Sequence, residues 1–201
     1  MDHDAELQEV TSNGKKATYA DLEALPENVV GEIVDGELFA MPRPSLEHSV
    51  GTSTLGALLL PAFQLGQGGP GGWWILHEPE LHLAEDVLVP DLAGWRSTRL
   101  EQPRGAAATV APDWICEALS PSTATLDRVK KMRIYGRERV GHAWLVDPAR
   151  RSLEVFAREG DEWRPLGVWS GDDRVRAPPF EALELKLELL WATSAPGGGA
   201  G

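Results

Sequence analysis

Apolar and polar positions first alternate in "VVGEIVDGELFAMP" (29–42), where two apolar runs meet at Asp35-Gly36. That dipeptide suits a two-residue turn, so the pattern predicts a β-hairpin. Just upstream, "TYADLEALPEN" predicts a short helix with Thr18 as N-cap, Asp21 three residues on and Pro26 near its end. Downstream, "PSLEHSVGTSTLGALLLPAFQLG" has helical period. Ser45 opens it, Leu46, Val50, Leu55, Leu58 and Leu59 form the expected buried stripe, and Pro61 kinks or shortens it. Strands follow near 73–84, 87–96 and 113–120. "STATLDRVKKMRIYGRERVG" reads as a helix stopped around Gly141, and "HAWLVDP" as a strand ended by Pro148. "SLEVFARE", "EWRPLGVWS" and the run near "RVR" read as a closing antiparallel meander. This order predicts an α/β or α+β fold, a central mixed sheet flanked by helices.

Two positions break the pattern. In "VPDLAGWR", Asp91 falls on the strand face shared with Val87 and Val89. In "PDWICEALSPST", Glu117 shares a face with Ile115 and Leu119, while Cys116 and Ala118 take the other. A carboxylate on an apolar face is costly unless something compensates it. Two such acids on successive strands suit one hard cation, and Mg²⁺ is often held by only one or two carboxylates. Downstream, Asp127, Lys131 and Tyr135 are spaced i, i+4, i+8 and share a helix face, from which a lysine reaches back toward Glu117 and a phosphate. Each has a plainer reading. Asp91 caps a turn before Gly94; Glu117 and Lys131 form a structural ion pair; Asp127 and Lys131 pair on a helix surface, worth about 0.2–0.5 kcal/mol. The residues alone leave a metal site and a structural charge cluster evenly matched.

Composition narrows the class. The 201 residues, 42% hydrophobic and 25% charged, fit one soluble globular domain able to bury a core without disulfides. Eight tryptophans point to a well-filled core; Trp95 and Trp144 are read as core, and His77, His82 and His142 as structural. A single cysteine, Cys116, fits a reducing, cytoplasmic setting. The acidic start "MDHDAELQEV" is not a secretory signal, and "LGALLLPAFQLG" is too short to span a bilayer, so no membrane partner is expected. Residues 1–16 read as a flexible leader, 17–192 as a single domain and 193–201 as a flexible tail. A net charge of -12 argues against broad attraction to nucleic acid, so any such site is a local basic patch.

Four stretches, "EIVDGELFAMPRPSLEH", "VPDLAGWR", "CEALSPSTATLDRVKKMRIYGRERVGHAWLVDP" and "SLEVFAREGDEW", together resemble the bacterial Uma-two family of restriction endonuclease domain proteins, within the PD-(D/E)XK nuclease superfamily. The resemblance covers most of residues 18–190. It implies a restriction-endonuclease-like core over 17–192, with Asp91 as the PD aspartate and Glu117 as the (D/E) carboxylate. The superfamily's lysine two residues after the acid is here Leu119; the Uma-two pattern supplies it from the next helix, as Asp127, Lys131 and Tyr135. Glu37 and His48 match positions typical of the family, His48 either orienting a water or ligand or simply being satisfied at its helix N-terminus. The implied activity is a DNA endonuclease using Mg²⁺ or Mn²⁺, held by Asp91 and Glu117 with the carbonyl of Ala118, Lys131 assisting. DNA would meet "DRVKKMRIYGRER", which carries six Lys/Arg against two acids, through Arg128, Lys130 and Arg133. The alternative is a nuclease fold serving as a non-catalytic binding or assembly module; a homodimer is compatible with either.

Overall fold

The computed structural model describes residues 8–10, 15–42 and 44–191. The helix start at Thr18 forms as the sequence expects. Thr18 N–H and hydroxyl both donate to the Asp21 carboxylate (2.8 and 2.6 Å), and α1 spans Tyr19–Glu23. The hairpin also forms, with strand β1 (Gln8–Val10) added to it: β2 (Val29–Val34) turns at Asp35 (φ 55) and Gly36 (φ 80) into β3 (Glu37–Pro42). Two successive positive φ values are what a hairpin turn matched to strand twist requires. Gly36→Ala is therefore expected to cost about 1–2 kcal/mol by chemical denaturation, the left-handed penalty of a Cβ. β1 pairs with β3, so the stretch read as a loose leader contains a strand; the rest of that leader and the tail 193–201 lie outside the described residues, residue 15 onward excepted.

α2 spans Leu46–Leu59 and continues into a π-helical turn, Leu60–Gln64, with Pro61 at its start. The expected stripe is corrected in its first half. Leu46 is 83% exposed and Val50 40%, while Gly51, Thr52, Leu55, Gly56 and Leu59 are buried. Small residues face inward there because the helix lies against neighbours: a Cβ on Gly51 would sit 3.3 Å from the Leu190 carbonyl.

The strands expected over 73–84 and 87–96 are each two strands. β4 (Trp73–His77) ends before β5 (Glu80–Leu83), and β6 (Asp86–Leu88) before β7 (Leu92–Arg96). Pro79, after Glu78 at φ 44, and Pro90 mark the breaks, since proline cannot donate to a ladder. Each break moves the chain between sheets. With β8 (Ala107–Ala108), the first sheet runs β1-β3-β2-β6-β5-β8. With β9 (Trp114–Ala118), β10 (His142–Asp147), β11 (Ser152–Glu159) and β12 (Glu162–Ser170), the second runs β12-β11-β10-β9-β7-β4. β9 and β10 are parallel, joined by a π-helical segment, Leu126–Lys131, and α3 (Met132–Arg137). The meander is corrected at its end: β13 (Arg174–Val175) pairs with β14 (Leu185–Lys186) in a separate small sheet.

The second sheet is covered on both faces. Trp114, Cys116, Trp144 and Val146 face α2 and the C-terminal segment, where Phe63, Trp73, Trp114 and Trp144 pack around Phe180. Ile115, Leu119, Ala143 and Leu145 face the other way, against α3 and the inner residues Val34, Phe39, Leu81 and Leu88 of the first sheet. This is a mixed α/β fold with large mixed sheets and few helices. Trp95 and Trp144 are fully buried, as read from the sequence.

Candidate active site

Period-two alternation along β9 puts Glu117 on the α3 face, inside the core shared by both sheets. The crossover to β10 brings Lys131 back over it. Lys131 Nζ lies 2.9 Å from Glu117 Oε1, 2.9 Å from Glu32 Oε1 and 3.5 Å from Asp127 Oδ1. Tyr135, one turn further, donates its hydroxyl to Glu117 Oε1 at 2.6 Å. All five side chains are buried. The sequence analysis missed Glu32. The signal was present: in "VVGEIVDG" the same alternation sets Glu32 on the face of the buried Val34, the oddity that singled out Glu117.

Asp91 is not on a strand face. It occupies the bend between β6 and β7, just after Pro90, and its carboxylate is gripped from two sides. Oδ1 lies 2.5 Å from His48 Nε2, and Oδ2 accepts the Ala118 N–H at 2.7 Å. The antiparallel register pairs Leu92 with Cys116, so Asp91 stands at the end of β9 beside Glu117. Ser45 caps α2 by accepting the His48 N–H, which places the imidazole in the first helical turn, facing the bend. His48 and Asp91 side chains are 14% and 13% exposed, whereas Lys131 is 3%: the histidine–aspartate pair is the mouth of the site and the lysine its floor.

A family model described as "putative restriction endonuclease", Uma2, matches residues 17–189. The chain belongs to the Uma2 family. No curated protein matches this Uma2 chain. Among solved structures, a putative nuclease belonging to DUF820 from Anabaena variabilis ATCC 29413 is similar, with a TM-score of 0.70 and 22% identity, covering 87% of this chain and 97% of that one. At that identity the likeness speaks to the fold, which is therefore nuclease-like.

Three carboxylates around one ammonium leave the floor of this Uma2 site with excess negative charge. Burial pushes Glu117 well above the usual carboxylate range; Lys131 pulls it down, and Asp127, Asp91 and Glu32 push it further up. Burial likewise raises Asp127 to about 6, against the pull of Lys131. Burial opposes the Lys131 charge, but Glu117, Glu32, Tyr135 and Asp127 outweigh it and hold the ammonium well above the ordinary lysine range. Burial also opposes a charged His48, yet its bond to Asp91 and the charges of Asp91, Asp127 and Glu78 raise it.

A cation fits this charge balance. Glu117 takes two donors, Tyr135 and Lys131, on Oε1, and Glu32 Oε2 is buried with no hydrogen-bond partner among the described residues. Among the described residues, no group of three or more His, Cys, Asp or Glu side chains is placed to hold a metal ion. An ion here would be held by one or two carboxylates and otherwise by water or substrate oxygens. The Ala118 main chain contributes its N–H to Asp91, a contact the sequence analysis did not foresee.

The remaining candidates lie outside this cluster. Glu37 is ion-paired with Lys130, Arg133 with Asp35, and Arg128 with Glu154, where Nη1 to Oε2 is 3.0 Å. Arg137 adds a 2.7 Å pair to the buried Asp86. The basic helix thus docks on acidic side chains from both sheets, and the patch expected to be open to phosphates already carries acidic partners. His82 pairs with Glu80 at 2.7 Å, consistent with a structural role.

Proposed function

We propose that this Uma2 protein is a divalent-metal-dependent endonuclease acting on DNA. The observation that carries the reading is the meeting of Asp91 and Glu117 at adjacent strand ends, one gripped at the mouth and the other backed by a buried lysine. Asp91 and Glu117 would hold Mg²⁺ or Mn²⁺. When bound, such an ion activates water and offsets charge on the phosphate undergoing attack. The chain's own residues prepare that chemistry. His48 and the Ala118 N–H fix the Asp91 carboxylate in one orientation. Tyr135 and Lys131 hold Glu117 by Oε1. Lys131 is enclosed by three carboxylates, so its part is to favour the charged form of Glu117 against burial and to aim it, rather than to reach the phosphate.

DNA would contact Arg128, Lys130 and Arg133 by exchanging phosphates for their acidic partners. Exposed ion pairs are worth about 0–1 kcal/mol each, so the exchange costs little at Lys130 and Arg133, while the Arg128–Glu154 pair is half-buried. Those same pairs, with a net charge of -12, favour the second reading, a nuclease fold used for binding or assembly. A cytoplasmic single domain over 17–192 accompanies either reading; among the described residues no helix is long and apolar enough to cross a membrane.

The deciding experiment incubates supercoiled plasmid, single-stranded DNA and RNA with the protein in Mg²⁺ or Mn²⁺, with and without chelator. Cleavage of DNA that stops with chelator, and in Asp91→Asn and Glu117→Gln, is the expected result. Binding that ignores metal, with no cleavage of any substrate, selects the assembly module.

A further inference from the structure

Glu32 reaches the site from the first sheet, and its bonding is lopsided. Oε1 accepts the Val89 N–H at 2.5 Å and lies 2.9 Å from Lys131 Nζ. Oε2 is buried with no hydrogen-bond partner among the described residues. Val89 stands where the chain leaves the first sheet for the second; Pro90 follows with no N–H, and Asp91 is next. One oxygen therefore joins three pieces that come from distant parts of the sequence: β2, the π-helical segment that carries Lys131, and the bend that presents Asp91.

We propose that Glu32 is a positioning residue, which sets where Asp91 stands against Glu117 by pinning the Val89–Asp91 bend to Lys131. An acceptor at this place matters because Lys131 is buried and the half-buried Val89 N–H donates to the same oxygen, so both would lose a partner without it. The catalytic meaning of this role rests on the nuclease reading. Its geometric content does not, since it predicts that altering Glu32 disturbs the His48–Asp91 pair, which Glu32 does not touch. Partners that orient metal-binding groups typically change metal affinity by about 10- to 100-fold when removed.

The test uses the full chain as Glu32→Gln, Glu32→Asp and Glu32→Leu, with Val155→Ala as a comparator destabilised elsewhere in the core. Two quantities are read: the ring-nitrogen NMR resonances of His48 in metal-free protein, and the affinity for Mn²⁺ by titration. Gln keeps an acceptor at Oε1 and is expected to leave both near wild type. Leu is expected to move the His48 resonances toward those of a free imidazole and to weaken Mn²⁺ binding about 10- to 100-fold. Asp, one methylene shorter, must release Val89 or Lys131 and is expected to move His48 in the same direction; it decides the matter if the Leu protein does not fold. Val155→Ala is expected to move neither. His48 resonances unmoved in both Leu and Asp overturn the proposal. So does a Gln protein that loses Mn²⁺ with His48 unmoved, which would make Glu32 a direct ligand. A wild-type chain that binds no Mn²⁺ sinks the nuclease reading instead, while the His48 resonances still decide the positioning role.

Discussion

Lys131→Met is expected to cost about 3–5 kcal/mol at neutral pH, the penalty of leaving buried charge without its partner. Methionine nearly matches the volume and length of the lysine stem, so the loss isolates the ammonium. Without it, Glu32, Glu117 and Asp127 face one another in a space closed to water. Typical domains hold only about 5–15 kcal/mol in total, so the variant would be marginal. The sign of its pH dependence follows from the same charges. Carboxylates raised in the folded state contribute fully below their unfolded pKa, about 4, and that contribution is lost as pH rises through the folded values. With Lys131 present, Asp127 is already at about 6 and Glu117 well above its usual range. Removing the ammonium pushes both further, so the deficit relative to wild type should shrink in acid and widen toward neutrality. Chemical denaturation at pH 5 and 7.5 measures this. A neutral-pH loss below about 1 kcal/mol, the level of an exposed pair, would show that the ammonium does not hold the cluster.

Most elements were legible because they rest on local rules. Thr18 with Asp21, Asp35-Gly36 and the acid on an apolar face at Glu117 are decided by neighbours within a few residues. The errors share a different cause. The runs 73–84 and 87–96 each look continuous, and nothing local says that Pro79 and Pro90 hand the chain from one sheet to the other. For that reason Asp91 was read on a strand face when it lies in a bend. Leu46 and Val50 carry the helical period, but Gly51 and Gly56 set the buried side through close approach, which a hydrophobic pattern does not register. Glu32 is the instructive miss: its alternation signal equalled that of Glu117, but no sequence motif drew attention to it. Arg128, Lys130 and Arg133 looked free because Glu154, Glu37 and Asp35 are distant in sequence.

Divalent metal is expected to raise the melting temperature, and more so as pH rises. A ligand that binds only the folded chain stabilises it by about 2.7 kcal/mol at 100 times its Kd. For a chain of this size that is a rise of about 5–11 °C. The pH window is set by the carboxylates. Holding a cation requires an ionised Glu117, and burial together with Asp127, Asp91 and Glu32 keeps its proton on well above the usual range. Asp127, raised to about 6, loses its proton over the lower part of the window. Metal therefore competes with protons more strongly at pH 5 than at pH 8. Melting curves in millimolar Mg²⁺ and Mn²⁺ at both pH values, each against chelator, give the comparison. Asp91→Asn and Glu117→Gln should abolish the metal-dependent rise, while Glu85→Gln, whose exposed carboxylate pairs with Lys16 at 2.7 Å, should keep it. Substrate phosphate completes the shell of ions held by few protein ligands, so the series is repeated with a short duplex. A melting temperature indifferent to metal at pH 8 both with and without the duplex would select the non-catalytic module, because the carboxylates would then be serving only Lys131 and His48.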